Sequence, residues 1–233
     1  MVRHLPFLFP CQGALPEADS VSVIGGNRFS GQKRDKRSEG MTMPRLETDR
    51  LLLRPPEYSD VAALARRLGE FDIAKNLASV PYPYGEAEGL AFVTKAHQQR
   101  ALGEGYCFAI LEKQSGALLG CCGLHLKDGR YEVGYWIGKP FWNRGYCTEA
   151  VRKLIGFAFH DLKAADVWAG WFHDNPASGR VLEKLGFLPD GGEPRGCRAR
   201  GHDVYCHKAT LTREDFGRKR APVRPAEACA EAR

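Results

Sequence analysis

One stretch of the chain limits the possible folds more than any other. A strand-like run (130–137) leads through a short turn that contains Gly145 into a helical pattern. Apolar residues then recur at the spacing of one helix face as far as Leu162. A second strand pattern (166–172) and a second helix pattern (176–185) follow directly. A strand, a helix and a further strand in this order predict a crossover connection within one sheet.

The segments around this crossover are predicted to add further strands and two helices. Apolar runs bounded by turn residues, such as the QSG turn, are typical of strands. The predicted strands are 50–54, 106–113, 117–126, 130–137, 187–189 and 203–211, and the predicted helices are one capped by Ser59 or Asp60 and one over 86–102. The whole pattern predicts an α/β fold (an α+β mixed sheet) with mostly antiparallel strands, a β-α-β crossover and helices on both faces.

The two ends of the chain differ from this central pattern. Residues 1–40 are rich in Gly, Ser, Arg and Lys and show no periodicity, and Met41 stands just before the first strand. We therefore interpret 1–40 as a disordered extension or a start codon placed too early, 41–216 as one domain, and 217–233 as a disordered basic tail.

The charge distribution argues against a nucleic-acid-binding domain. The net charge is +6, and residues 1–40 and 213–233 each hold 6 basic and 4 acidic side chains. The body is therefore nearly neutral, whereas a nucleic-acid partner would favour a concentrated basic face. The sequence also has no apolar run near the roughly 20 residues of a membrane span, so no membrane partner is predicted.

The 8 cysteines favour a reducing compartment. None of them forms a C-x-x-C pair, and several lie inside apolar runs. Paired spacing is typical of zinc sites, whereas isolated apolar-run cysteines behave as small core residues. We predict reduced cysteines, no metal site and a cytoplasmic location.

Two helix starts, separated by one strand, are candidate binding features. The turn at 142–145 precedes one helix, and Asn175 with Pro176 precedes the other. A helix N-terminus leaves about four backbone N–H groups without partners and attracts anions such as phosphate. Each feature also has a plain structural interpretation, as a strand-to-helix turn and as a helix cap. Together they form a layout that can hold an extended, phosphate-bearing cofactor.

At these residues the chain resembles a known family. The runs EVGYWI, WNRGYCTEAV and NPASGRVLEKLGF resemble the GNAT superfamily of acetyl-CoA-dependent N-acetyltransferases. The opening LETDRLLLRPPEYSD and the closing DVYCHKATLTREDF resemble its RimJ and RimL branch, the ribosomal-protein N-terminal acetyltransferases. The resemblance covers 45–216 and implies a single GNAT-type domain.

The resemblance also implies which residues bind acetyl-CoA. The backbone N–H groups of 143–148 should hold the pyrophosphate, and strand 133–137 should pair with the pantetheine arm. Asn175 matches the family's cofactor-binding asparagine. The full set that the resemblance assigns to acetyl-CoA is Tyr135, Trp136, Ile137, Trp142, Asn143, Arg144, Gly145, Tyr146, Cys147, Thr148, Asn175 and Ser178.

Acetyl transfer to an amine needs a group that removes a proton and, in some enzymes, one that protonates the leaving thiolate. Glu132 is the hypothetical base, although strict alternation places it on the sheet face opposite Tyr135 unless a bulge re-aims it. The family's frequent acid is a tyrosine at the position of Leu182 here, so Ser178 or Tyr135 is the alternative donor to sulfur. None of the histidines has a spacing that predicts a metal or nucleophile role.

The amine acceptor is expected between the first two helices and the segment 190–203. Residues proposed to line that side are Tyr82, Tyr84, Trp136 and Asp203. The basic run 195–200 favours a peptide N-terminus or an acidic small molecule over polyamines and aminoglycosides. The alternatives left open are an aminoglycoside or polyamine acetyltransferase, a non-catalytic acetyl-CoA-binding regulator, and a nucleic-acid partner acting through the tails. The protein is expected to be a monomer or homodimer.

Overall fold

The computed structural model describes residues 44–218. In that range the strands are β1 Leu46–Glu47, β2 Leu51–Arg54, β3 Gly105–Glu112, β4 Leu118–Lys127, β5 Arg130–Ile137, β6 Asp166–Phe172, β7 Leu188–Cys197 and β8 His202–Thr212. The helices are α1 Val61–Leu68, α2 Phe71–Ala74, α3 Glu86–Leu102, α4 Tyr146–His160, α5 Pro176–Leu185 and α6 Arg213–Gly217. The interpretation of 1–40 lies outside the described residues, as does that of 217–233 except for its first two residues.

The strands form one mixed sheet, which confirms the predicted fold class. Its order is β1-β2-β3-β4-β5-β6-β8-β7. The pair β5/β6 is parallel and is connected through α4, whereas the other neighbouring pairs are antiparallel. A parallel pair needs a crossover connection, and the α4 helix provides it.

The parallel pair β5/β6 separates soon after it begins. Its paired positions are Tyr131 with Val167 and Glu132 with Trp168. From Val133 to Ile137, β5 stays paired with β4 but is no longer paired with β6. A wedge therefore opens in the middle of the sheet, between two strands that begin side by side.

Helices cover both faces of the sheet. On the face that we call the front, α1 and α3 pack on small residues such as Cys107, Ala109 and Cys121. On the back face, α4 and α5 pack on larger ones such as Phe108 and Leu124. Since side chains alternate along a strand, each residue of β5 belongs to one of these two environments.

The alternation of β5 is regular, as the sequence predicts. Its register against β4 runs without a shift from Gly120 opposite Ile137 to Lys127 opposite Arg130. The bulge that would have re-aimed Glu132 is therefore not seen in this pairing. Glu132 lies on the front face, and Tyr135 lies on the back face.

Asp60 is the N-cap residue of α1, as predicted, but its side chain does not cap the helix. A single 3-10 turn, Tyr58–Asp60, precedes the helix, and neither Ser59 nor Asp60 caps α1 through its side chain. The carboxylate of Asp60 instead accepts from both terminal nitrogens of Arg54, at 2.7 and 2.8 Å, and from the backbone N–H of Glu57 at 2.8 Å. Asp60 is 6% exposed, so its charge is used to tie β2 to the helix.

The segment 190–203 also differs from the prediction, because most of it is strand. β7 extends to Cys197 and pairs with β8, with a register shift between Pro189 and Gly192. Glycine and proline in this run made a strand look improbable. Both are accepted here because β7 is the edge strand and is bulged.

The turn between β7 and β8 packs against the connection that follows α2. The N–H of Arg198 donates to the carbonyl of Ala78 at 3.0 Å. Arg200 donates from Nε to the carbonyl of Lys75 at 2.7 Å and binds Asp174 through both terminal nitrogens, at 2.7 and 3.1 Å. These contacts join the turn to the end of α2 and to Asp174, which follows β6.

Two further features are the state of the cysteines and the character of the helices. The six cysteines in the described range are unpaired, and five of them are buried. Within 44–218 no helix combines the length and apolar character needed to cross a bilayer.

Candidate active site

The turn before α4 leaves the start of that helix open to a ligand. Gly145 is the N-cap residue at φ +77°, and no side chain caps the helix there. Asn143 is also left-handed, at φ +60°. The first N–H groups of this 15-residue helix have no side-chain cap, and together with the helix dipole they favour an anion.

Arg50 holds the inner side of this turn. Its guanidinium donates to the carbonyl of Arg144 at 3.0 Å and to the carboxylate of Glu149 at 2.7 Å, and it lies 4.5 Å from the ring centre of Tyr146. Partial burial raises the pKa of Glu149, but hydrogen bonds from Thr48 and Arg50 outweigh that effect, and the net pKa is lowered. No signal in the sequence had pointed to Arg50.

Other residues predicted to bind the cofactor have structural contacts. The indole N–H of Trp142 donates to the carbonyl of Ile137 at 2.6 Å, which ties the turn to the end of β5. The hydroxyl of Tyr146 donates to Glu112 on β3, so its side chain points away from the wedge. Thr148 lines a shallow concavity of about 800 Å³ on the outer face of α4, together with Arg152 and Lys184.

The back face of the wedge is bridged by Tyr135 and Ser178. The Tyr135 hydroxyl lies 2.8 Å from Ser178 Oγ and donates to the Ser178 carbonyl at 3.1 Å. Desolvation raises the pKa of Tyr135 far above its ordinary value, so the phenol keeps its proton at neutral pH. The structure thus brings together the two residues that were predicted as alternative donors to sulfur.

Asn175 and Cys147 flank this pair. The Asn175 side-chain oxygen accepts from the backbone N–H of Ser178 at 3.3 Å, which makes it the cap of α5. Desolvation raises the pKa of Cys147 to about 12, so this thiol is not a nucleophile at neutral pH. Leu182, at the position of the family's frequent acid, is buried in the core at 1% exposure.

On the front face, Glu132 is held in an ion pair that the sequence did not reveal. Arg195 binds both carboxylate oxygens, from Nη1 at 2.5 Å and from Nη2 at 3.1 Å. The side chain of Glu132 is 14% exposed and that of Arg195 is 30% exposed. Burial lowers the pKa of Arg195, but the contact with Glu132 outweighs it and the net pKa is raised.

A glycine makes this ion pair possible. Arg195 lies in β7 and must pass over β8 and β6 to reach Glu132 in β5. A Cβ on Gly170 of β6 would stand 2.8 Å from Cys206 Sγ and 3.5 Å from Arg195 Nη1. Any larger side chain at 170 would meet atoms along this path. Two arginines of the basic run 195–200, Arg195 and Arg200, are therefore neutralised by carboxylates, and the preference that this run gave for the acceptor stays a prediction.

His125 is a further front-face residue, and its sequence spacing had predicted no role for it. It is the direct cross-strand neighbour of Glu132. Its Nε2 stands 3.6 Å from the place of a Cβ on Gly123 and 3.9 Å from that of a Cβ on Gly134. The residue is exposed, and desolvation lowers its pKa while Glu132 partly opposes this. The neighbouring glycines were the only sequence signal.

The residues predicted to line the acceptor side divide into two groups. Tyr84 is buried at 8% exposure beside Trp136, and its hydroxyl has no hydrogen-bond partner within 44–218. Tyr82 is 48% exposed and packs edge-on against Phe71. Asp203 is exposed in β8, opposite Gly196 near the hairpin turn.

A wedge between parallel strands, next to an uncapped helix start, defines a class of site that accepts an extended ligand with a phosphate group. A family model described as "Acetyltransferase (GNAT) domain" matches residues 50–188. The chain therefore belongs to the GNAT acetyltransferase family, whose members use acetyl-CoA.

The relatives agree with this assignment. The chain is 26% identical over 177 residues to the uncharacterized N-acetyltransferase p20 of Bacillus licheniformis, and the match covers 75% of this chain and 99% of that protein. RimJ of Mycobacterium smegmatis, solved in complex with CoA-disulfide, matches with a TM-score of 0.65 at 19% identity, over 72% of this chain and 84% of its own.

A third similar protein is the ribosomal-protein-S5-alanine acetyltransferase of Vibrio fischeri. It matches with a TM-score of 0.65 at 15% identity, over 75% of this chain and 100% of its own. At these identities the two solved structures show the fold, and they include the RimJ-type branch that the sequence resembles. Within 44–218 no group of His, Cys, Asp or Glu side chains is arranged to hold a metal ion.

Proposed function

We propose that this chain is an N-acetyltransferase that moves the acetyl group of acetyl-CoA to a primary amine by direct attack on the thioester. The observation that carries this proposal is the wedge between β5 and β6 beside the uncapped start of α4. The acceptor that we favour is the α-amine of a protein N-terminus or the primary amine of a small monoamine.

The back face has the groups that acetyl-CoA requires. The N–H groups of 143–148 would hold the pyrophosphate, and the edge of β5 from Val133 to Ile137 would pair with the pantetheine arm. Gly145 supports this fit, because only Arg50 lies within 4 Å of a Cβ at that position and the helix start stays accessible. Arg152 and Lys184, in the concavity beside the turn, add positive charge near the phosphates. When bound, acetyl-CoA would supply an activated acyl group.

The pair Tyr135 and Ser178 would act on the sulfur side. The raised pKa of Tyr135 keeps its phenol protonated, and its contact with Ser178 orients it across the wedge. A thiolate with a pKa near 8.5 can leave unassisted, so this donor would accelerate the step moderately rather than enable it.

The front face favours an acceptor that carries no second cation. Its inward carboxylate, Glu132, is neutralised by Arg195. Polyamines and aminoglycosides bring several positive charges, which would need unpaired carboxylates to bind them. The structural neighbour from Vibrio fischeri is named for an alanine of a ribosomal protein, which supports testing peptide N-termini first.

A second candidate is a non-catalytic regulator that binds acetyl-CoA. Two observations favour it, namely the ion-paired state of Glu132 and the buried Leu182 at the acid position. Turnover separates the two candidates, because a regulator would bind acetyl-CoA and release no free coenzyme A.

The testing experiment has two stages. Thermal unfolding with acetyl-CoA, and with AMP as the control, should show a stabilisation of about 2.7 kcal/mol at 100 times Kd with acetyl-CoA only. Thiol release is then followed with an alanine-terminated peptide, phenethylamine, spermidine and kanamycin. Release with the peptide or the monoamine supports the proposal. Binding without release from any amine supports the regulator, and no stabilisation by acetyl-CoA removes both.

A further inference from the structure

A recess on the front face lies directly beside the wedge. Gly123 of β4 and Gly134 of β5 are opposite each other in the sheet, so the floor there has no side chains. At Gly134, the only atoms within 4 Å of the position that a Cβ would take belong to His125. Since β5 separates from β6 at Glu132, the recess opens onto the strand that would carry the thioester.

The imidazole of His125 is the group with free hydrogen-bonding capacity in this recess. Within 44–218 its ring nitrogens have no hydrogen-bond partner, whereas the other polar groups beside it are engaged. The charged groups that act on it are Glu132 from β5, Lys95 from α3 and Arg195 from β7. Desolvation lowers the pKa of His125 most, Glu132 raises it, and Lys95 and Arg195 lower it further, so the net pKa falls and the neutral ring is favoured at neutral pH.

Glu132 is poorly arranged to act as the base itself. Arg195 binds both of its oxygens, and a proton on either oxygen would break one of these charge-assisted hydrogen bonds. The same ion pair holds the carboxylate still beside His125, where it would stabilise an imidazolium.

We infer that His125 is the catalytic residue that accepts the proton of the amine, and that Glu132 and Arg195 are positioning residues for it. This inference rests on the proposed function. The amine nitrogen bonds to the acetyl carbon, and the carbon–sulfur bond breaks with its electron pair leaving on sulfur. The nitrogen gives one proton to the imidazole. The thiolate leaves with a hydrogen bond from the Tyr135 and Ser178 pair and then takes a proton from solvent, so the products are the amide and coenzyme A.

The test compares pH profiles of kcat/KM for the alanine-terminated peptide, between about pH 4.5 and 8. In the wild type, log kcat/KM should rise with a slope of about two at low pH, because both the imidazole and the α-amine must lose a proton, and about one above the pKa of His125. In His125→Gln the slope should be about one throughout, with kcat/KM lowered about 100-fold or more.

Two further variants make the result specific. In Glu132→Gln the profile should still have a slope of two at low pH, but the change to a slope of one should occur at lower pH. The reason is that the carboxylate raises the pKa of His125. His97→Gln is the matched control, since the His97 ring nitrogen already bonds the Pro56 carbonyl and an amide can make the same bond, and it should leave the profile unchanged. In His125→Ala, added imidazole should restore turnover, which a structural role would not allow.

The outcomes separate this inference from the proposed function. If the wild type turns over and His125→Gln keeps both its rate and its low-pH slope, His125 is not the base. If the slope of two at low pH is lost in Glu132→Gln but remains in His125→Gln, the base is Glu132. If the wild type releases no coenzyme A with any amine, the proposed function fails and the inference fails with it. Stabilisation by acetyl-CoA in each variant confirms that the folded cofactor site is retained.

Discussion

The two faces of the central wedge are built by different means. On the back face, which we propose as the cofactor side, the key groups are backbone N–H groups and residues of three consecutive segments, β5, the turn before α4 and the start of α5. On the front face, Glu132 depends on Arg195, which comes from the far edge of the sheet and crosses two strands. The back face is therefore a local construction, and the front face exists only in the folded sheet.

This difference has a physical basis. A helix start binds an anion through main-chain groups that every sequence has, so the sequence only needs to supply glycine and leave the cap empty. An acceptor site needs particular side chains in particular places, and neighbouring strands can bring them from any part of the chain. The two faces should respond to mutation in different ways.

The largest effect is expected at Gly145 on the back face. Gly145→Val places a β-branched residue at φ +77°, which should cost about 1–3 kcal/mol of stability and close the helix start. We expect stabilisation by acetyl-CoA to disappear in thermal unfolding. Gly156→Ala in the middle of the same helix is the control, and it should gain roughly 0.5–1 kcal/mol and still respond to acetyl-CoA. A full response in Gly145→Val would show that the helix start does not bind the cofactor.

The next effect tests the front-face ion pair. Arg195→Met leaves the carboxylate of Glu132 largely buried without its partner, which should cost about 2–3 kcal/mol in urea unfolding. Adding Glu132→Gln to this variant should recover most of the loss. Lys208→Met breaks the more exposed pair with Glu193 and should cost less than about 1 kcal/mol. Equal losses of stability for Arg195→Met and Lys208→Met would show that the Glu132–Arg195 pair contributes no more to stability than an exposed ion pair.

A smaller effect is expected at the bridge across the back of the wedge. Tyr135→Phe removes the hydrogen bond to Ser178 and should lower kcat about tenfold, because the leaving thiolate loses a donor. Ser178→Ala and the double variant complete a cycle, in which the two losses should not add. If kcat is unchanged in Tyr135→Phe while stability falls by about 1 kcal/mol, the bridge is purely structural.

The smallest effect concerns Tyr84, whose buried hydroxyl has no protein partner in the described range. Tyr84→Phe should leave stability unchanged or raise it by up to about 1 kcal/mol, because no protein hydrogen bond is lost. The exposed Tyr82→Phe on the same loop is the control and should be neutral. If the acceptor uses the Tyr84 hydroxyl, KM for the peptide rises in Tyr84→Phe alone. A large loss of stability would mean that the hydroxyl is bonded in solution.

The features that could be predicted were those whose cause is local. Strand and helix periodicities, the open helix start at Gly145 and the cap at Asn175 depend on residues close together in sequence. They were found with nearly correct limits. Only the beginning of β7 was predicted, as 187–189, because the rest of its sequence resembles a loop. Its edge position and bulge let the strand tolerate Gly191, Gly192 and Pro194.

The missed side-chain roles share one cause, which is distance along the chain. Asp60 is the N-cap residue of α1, but its carboxylate binds Arg54 instead of the helix. Two arginines of the basic run 195–200 neutralise Glu132 and Asp174. His125 has no partner near it in sequence, and its place beside Glu132 follows from the register of β4 against β5. Such pairings depend on the order of the strands in the sheet, and this order cannot be predicted from a short stretch of the sequence.

The sequence by itself determined the α/β fold, the crossover, the cofactor-side turn and the resemblance to the GNAT family, because period, turn chemistry and helix capping act within a few residues. The tertiary structure alone decided which charges are neutralised, which histidine lies in the recess beside the wedge and where β5 and β6 separate. Electrostatic pairing and desolvation act through space, so residues from opposite edges of the sheet set the chemistry of the front face.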